Sequence, residues 1–135
     1  MVKIFPPLAA LILAVSLAAC NSVNSPSDET TDDFTDILPP SGQVSKSFSV
    51  AKNGEMQMTL QSLTPRPVVG FIALAIGTPQ AAGCAPIGGY IVTQAAIGQQ
   101  YALGQINKGS YCILAADANA VLSTSAAFTV RYTHP

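Results

Sequence analysis

Few residues in this chain of 135 could carry chemistry, and they are scattered. There are three cysteines, Cys20, Cys84 and Cys112, and one histidine, His134; beyond residue 42 the only acids are Glu55 and Asp117. A cysteine nucleophile would need His134 beside Cys84 or Cys112. A serine triad would need the same imidazole with Asp117 or Glu55, and the Gly-x-Ser-x-Gly elbow that presents such a serine does not occur. Two thiols and one imidazole fall short of the four ligands of a structural zinc. Asp117-Ala118-Asn119 offers too few oxygens for calcium and reads as a turn capping the strand before it. Glu55 follows Asn53-Gly54, where an exposed turn charge is the ordinary reading. The expectation is therefore no metal, no cofactor and no enzymatic activity.

The first residues give an address. Met1 to Lys3 supplies one positive charge, and Leu8 to Val15 is an apolar core of signal-peptide length, too short for the ~20 residues of a membrane span. The core runs into Leu17-Ala18-Ala19-Cys20, which resembles the lipobox of bacterial lipoproteins. That resemblance implies that residues 1–19 are cleaved and that Cys20 becomes the N-terminus, carrying two or three acyl chains. Two anchors suffice for lasting attachment to a lipid bilayer. It also implies a cell-envelope location, and Asn21, in place of the aspartate that commonly signals inner-membrane retention, points to the outer membrane of a Gram-negative cell. With Cys20 used for lipid, Cys84 and Cys112 remain as an even pair in an exported chain and are expected to form a disulfide. Closing that loop contributes about 3.6 kcal/mol on a chain-entropy estimate.

Residues 20–42 read as the lipidated cysteine and a flexible acidic linker. The segment holds Asp28, Glu29, Asp32, Asp33 and Asp36 with no basic residue, a composition poor in apolar surface. As a flexible spacer it would hold the domain roughly 25 Å from the bilayer. Residues 43–135 carry Lys46, Lys52, Arg66, Lys108 and Arg131 against Glu55 and Asp117, so the domain has the opposite sign and the linker has an alternative, folding back on it. The net charge of the whole chain, −1, provides no basic surface for nucleic acid.

What must position these residues is a β-structure. Charged residues make up only 10% of the chain, which excludes long amphipathic helices and coiled coils. Val44, Phe48 and Val50 alternate with polar residues, as do Met56, Met58 and Leu60, and Asn53-Gly54 between them predicts a hairpin turn. Val68 to Ile76 is apolar on both faces and predicts a central strand. Further strands are expected at Tyr90–Thr93, Gln100–Ile106, Tyr111–Ala116 and Ala127–Thr133, while residues 94–97 and 118–127 are compatible with short helical turns. The expected fold is all-β, a single antiparallel β-sandwich. Tyr90, Tyr101 and Tyr132 have two readings, a stacking surface for a sugar or peptide, or packing with a hydrogen-bonded hydroxyl.

Gly109-Ser110-Tyr111-Cys112-Ile113-Leu114-Ala115-Ala116-Asp117 and the later Phe128-Thr129-Val130-Arg131-Tyr132-Thr133 resemble the closing strands of bacterial pre-peptidase C-terminal domains. Phe48-Ser49-Val50, Asn53-Gly54 and Met56-Gln57-Met58-Thr59-Leu60 resemble their opening. The resemblance spans residues 43–135 and implies a jelly-roll-like sandwich, non-catalytic and adhesive, here expected without an attached enzyme. The function expected from the sequence is a membrane-anchored binding or adhesive module whose partner is an envelope protein or polysaccharide. The alternative is an assembly subunit pairing through edge strands, and the third reading is a small secreted enzyme.

Overall fold

The computed structural model describes residues 28–135, so the expected signal peptide, residues 1–19, and Cys20 lie outside the described residues. Eight strands follow one another: β1 Thr30–Leu38, β2 Gln43–Val50, β3 Gly54–Thr64, β4 Phe71–Gln80, β5 Gly83–Ala96, β6 Gln100–Ile106, β7 Gly109–Ala116 and β8 Ala126–His134. Their antiparallel pairings are nested: β1 with β8, β2 with β7, β3 with β6 and β4 with β5. This is one long double ribbon. Rolled up, it gains the lateral pairs β3 with β8 and β4 with β7. The result is two four-stranded sheets, β1-β8-β3-β6 and β2-β7-β4-β5, the β-sandwich expected from the sequence in its jelly-roll form.

Period-2 alternation builds the core between the sheets. Ala126, Phe128, Val130, Tyr132 and His134 of β8 point inward, as do Met56, Met58 and Leu60 of β3. In β3 the inward series then jumps from Leu60 to Leu63, because the register with β8 shifts between Leu60 and Ser62; a bulge there restores the apolar face to the core. Ile72, Leu74 and Ile76 of β4 meet this layer from the other sheet.

The acidic segment is corrected in part. Residues 30–38 are not a linker but edge strand β1, in register with β8 from Thr30 opposite His134 to Leu38 opposite Ala126. Phe34 and Leu38 face the core, and Phe34 stacks edge-on against Phe128 at 5.0 Å between centroids. Asp33 faces outward, where it takes a two-pronged salt bridge from Arg131, Nε to Oδ1 at 2.9 Å and Nη2 to Oδ2 at 3.0 Å, while Asp32, on the side of Phe34, is half-buried beside His134. The opposite charges of linker and domain thus meet as a folded-back strand.

Three local readings also change. Asn53-Gly54 does not close a hairpin, since β2 and β3 lie in different sheets; it turns the corner between them, and the Asn53 Oδ1 accepts the Lys108 N–H at 2.8 Å. Val68 and Val69 precede β4 in an exposed loop rather than starting the central strand. Residues 94–96 end β5, and neither they nor residues 118–127 are helical.

Candidate functional site

Among the described residues, Cys84, Cys112, Asp117 and His134 are each engaged in holding the fold. Cys84 and Cys112 form the expected disulfide, with Cα atoms 5.9 Å apart, closing a separation of 28 residues. Asp117 is 3% exposed. Its carboxylate accepts the Ser41 N–H at 2.8 Å, the Val121 N–H at 2.7 Å and the Leu122 N–H at 3.2 Å. Burial alone would raise its pKa, but the three N–H donors outweigh it and leave it below the ordinary carboxylate value. Asp117 is therefore a tie between the β1–β2 and β7–β8 connections, more than the local turn its neighbours suggest.

His134 is buried, with Nε2 3.3 Å from Asp32 Oδ2 and Nδ1 3.2 Å from the Pro135 carbonyl. Its ring stacks at 5.8 Å on Tyr132, and both rings pack against Phe48. Cys84, Cys112 and His134 do not converge: the imidazole faces the core from β8 beside Phe48, while the disulfide forms a separate cluster with Ala75 and Leu114. Among the described residues no group of three or more His, Cys, Asp or Glu is placed to hold a metal.

Of the two readings of the tyrosines, their contacts favour packing. Tyr132 is 1% exposed, an inward residue of β8. Its hydroxyl has no hydrogen-bond partner among the described residues, and burial, reinforced by Asp32 and Asp33, pushes its pKa up to about 12. Tyr90 and Tyr101 lace the two sheets together where β5 and β6 approach. The Tyr90 hydroxyl donates to the Gln105 carbonyl, while the Tyr101 hydroxyl accepts the Ala96 N–H at 2.9 Å and donates to the Gln94 carbonyl at 3.2 Å. These rings pack; they do not form a platform.

The feature unused by the fold is the outer face of β2-β7-β4-β5. On β4, small residues alternate with the large inward ones: Ala73, Ala75 and Gly77 face out. Gly77 lies opposite Cys112 of β7, and a Cβ on it would sit 2.3 Å from the Ala85 carbonyl oxygen and 2.8 Å from Cys84 Sγ. Only glycine fits, because the start of β5 folds over β4 there and the disulfide clamps it to β7. Ala75, Cys84, Cys112 and Leu114 form a second buried cluster under that clamp. Beside it opens a hollow of about 300 Å³, walled by Ala73, Ala75, Leu114, Ala116, Pro86 and Ile91, with Gln43, Thr93 and Asn119 among its polar members. From Pro67 to Asn107 the sequence contains no charged residue.

The outer face of β1-β8-β3-β6 is its opposite. Thr31 pairs with Thr133 and Thr35 with Thr129 through hydroxyl contacts of 3.1 and 3.0 Å, flanking the Asp33–Arg131 bridge. Gln57, Thr59, Gln61 and Gln100 continue the polar surface around a hollow of about 240 Å³. This face satisfies itself and water. The apolar hollow was legible only as the alternation of Ala73, Ala75 and Gly77 with Ile72, Leu74 and Ile76, which reads as a strand apolar on both sides until its neighbours are known. No known protein-family model matches the chain, and no curated protein is similar to it.

Proposed function

We propose that the chain is a lipid-anchored, non-enzymatic binding module of the cell envelope, working through the outer face of β2-β7-β4-β5. The observation that carries this reading is the hollow of about 300 Å³ walled by alanine, leucine, proline and isoleucine side chains on a face with no charged lining residue. A sheet face open to water is normally polar, and a contiguous apolar patch on it marks a contact surface. The engagement of Cys84, Cys112, His134 and Asp117 in structural contacts supports the non-enzymatic part, and the lipobox-like Leu17-Ala18-Ala19-Cys20 supports the anchor.

The anchor and the face are testable separately. The intact mass of the chain extracted from membranes without reductant should show acyl groups on a chain starting at Cys20 and two hydrogens missing from Cys84 and Cys112; an unacylated mass would end the anchored reading. Hydroxyl-radical labelling of Pro86 and Ile91 should be weaker in intact envelopes than in the detergent-extracted chain. Equal labelling in both would mean that nothing covers the face.

A further inference from the structure

We infer that the face accepts the β3–β4 loop of a second copy of this chain, so that two copies close reciprocally, each placing Val68 and Val69 in the other's hollow. The inference rests on the binding reading above and names its partner. Val68 is 106% exposed and Val69 55%, the most exposed pair of adjacent apolar side chains in the described residues. The loop that presents them is pre-shaped. Pro65 and Pro67 fix their own φ, the Gly70 N–H donates to the Pro67 carbonyl at 3.0 Å, and Gly70 takes the left-handed φ of 67°. The Arg66 guanidinium folds back against Gly70, its Nε 3.3 Å from where a Cβ would stand. A projection ordered before contact loses little conformational freedom on docking.

Projection and hollow are complementary in kind. The valines offer branched methyls, and the hollow is walled by methyl and methylene groups. Val68, Val69, Ala73, Ala75, Pro86 and Ile91 lie in the stretch from Pro67 to Asn107 that has no charge, and the hollow has no charged lining residue, so the one charge carried by the loop, Arg66, meets an uncharged wall. The competing approach, through the edge of β1, brings Asp32, Asp33 and Asp36 of one copy against those of another, a common device against edge pairing.

The register supplies the symmetry. Ala73 lies two positions into β4 and opposite Ala116, the last residue of β7, so hollow and loop sit at the same end of the sandwich. A two-fold axis parallel to the strands then sets each loop level with the partner's hollow, the self-complementary arrangement of a closed dimer. The same axis leaves both copies of Asp28, held by Lys52, at the opposite end, where Thr30 pairs with His134. Two chains tethered through residues upstream of Asp28 to one bilayer can meet in this orientation.

The test uses the full chain. Sedimentation in detergent across a concentration series should show a dimer, with Val68→Glu and Ile91→Lys each weakening it at least tenfold and the double variant recovering most of the loss through paired opposite charges. Both positions are solvent-exposed, so circular dichroism should be unchanged. A chain that stays monomeric at every concentration, or a double variant no better than either single one, overturns the inference. A photo-crosslinking residue at Val68 in living cells separates the two levels of the reading. An adduct of twice the chain's mass, attached near Ala75 or Ile91, supports the reciprocal pair. An adduct of any other mass overturns the pair and leaves the binding reading, and no adduct from Val68 or from Ile91 overturns both.

Discussion

The two outer faces of this sandwich are made from the same kind of strand and end in opposite states. On β1-β8-β3-β6 the outward rows are mostly polar and several find partners within the sheet: threonine with threonine, Arg131 with Asp33, Gln100 with Gln57. On β2-β7-β4-β5 the outward residues of β4 and of the end of β7 are small or apolar, beside a serine row on β2, and the chain covers only part of them, by folding β5 over Gly77 and locking it with Cys84–Cys112. A face that completes its own polar network needs nothing further, whereas a face left apolar and half covered is shaped for something else. On the proposed function, one sheet does structural work and the other makes contact.

The sharpest way to break the comparison is to attack what each sheet needs to exist. Phe34→Ala should cost about 3 to 5 kcal/mol, as for other buried phenylalanines, measured by denaturant unfolding of the full chain; a cost below about 1 kcal/mol would return β1 to the status of a tether. Next comes the clamp. Replacing Cys84 and Cys112 by alanine should remove about 3.6 kcal/mol for a loop of 28 residues, and should raise hydrogen exchange in β5 more than in β6. Uniform loosening of both strands would mean that the disulfide staples the whole fold rather than covering one face.

Asp117→Asn tests the tie at the shared end of both sheets. Keeping one acceptor but losing the charge, it should cost about 1 to 3 kcal/mol. Because the folded pKa of Asp117 is lowered, its stabilisation is present above the ordinary carboxylate pKa and is lost as the pH falls through the lowered value. The variant should therefore have a flatter acid limb than the parent, and parallel limbs would contradict the assignment. The smallest effects belong to the surfaces. Arg131→Ala breaks an exposed bridge and should change stability by less than about 1 kcal/mol, while Ile91→Glu should leave stability within about 0.5 kcal/mol and act only on contact. If Ile91→Glu is the more destabilising of the two, the apolar face belongs to the core.

The sandwich was readable wherever one face of a strand is buried and the other wet: Met56, Met58 and Leu60, or Phe128, Val130 and Tyr132, announce their strands by alternation. That same alternation places Tyr132 inside, in line with Phe128 and Val130, and so points to packing rather than a stacking surface for that residue. β1 was hidden because five acids between Asp28 and Asp36 dominate the composition, while the two residues that anchor the strand, Phe34 and Leu38, stand four apart on its inner side. Asn53-Gly54 fixes a turn locally, but which sheet follows it is set by strands more than forty residues away. The disulfide was legible from compartment and parity. The hollow was not, because it exists only once the start of β5 has folded over β4, an approach that a Cβ on Gly77 would block and that no local pattern discloses.

The most direct test compares the two faces in the living cell. A photo-crosslinking residue at Ile91 on the apolar face should give a discrete adduct, and the same residue at Thr129 on the polar face should give none. Equal yields from both positions, or an adduct only from Thr129, would contradict the division of labour between the sheets.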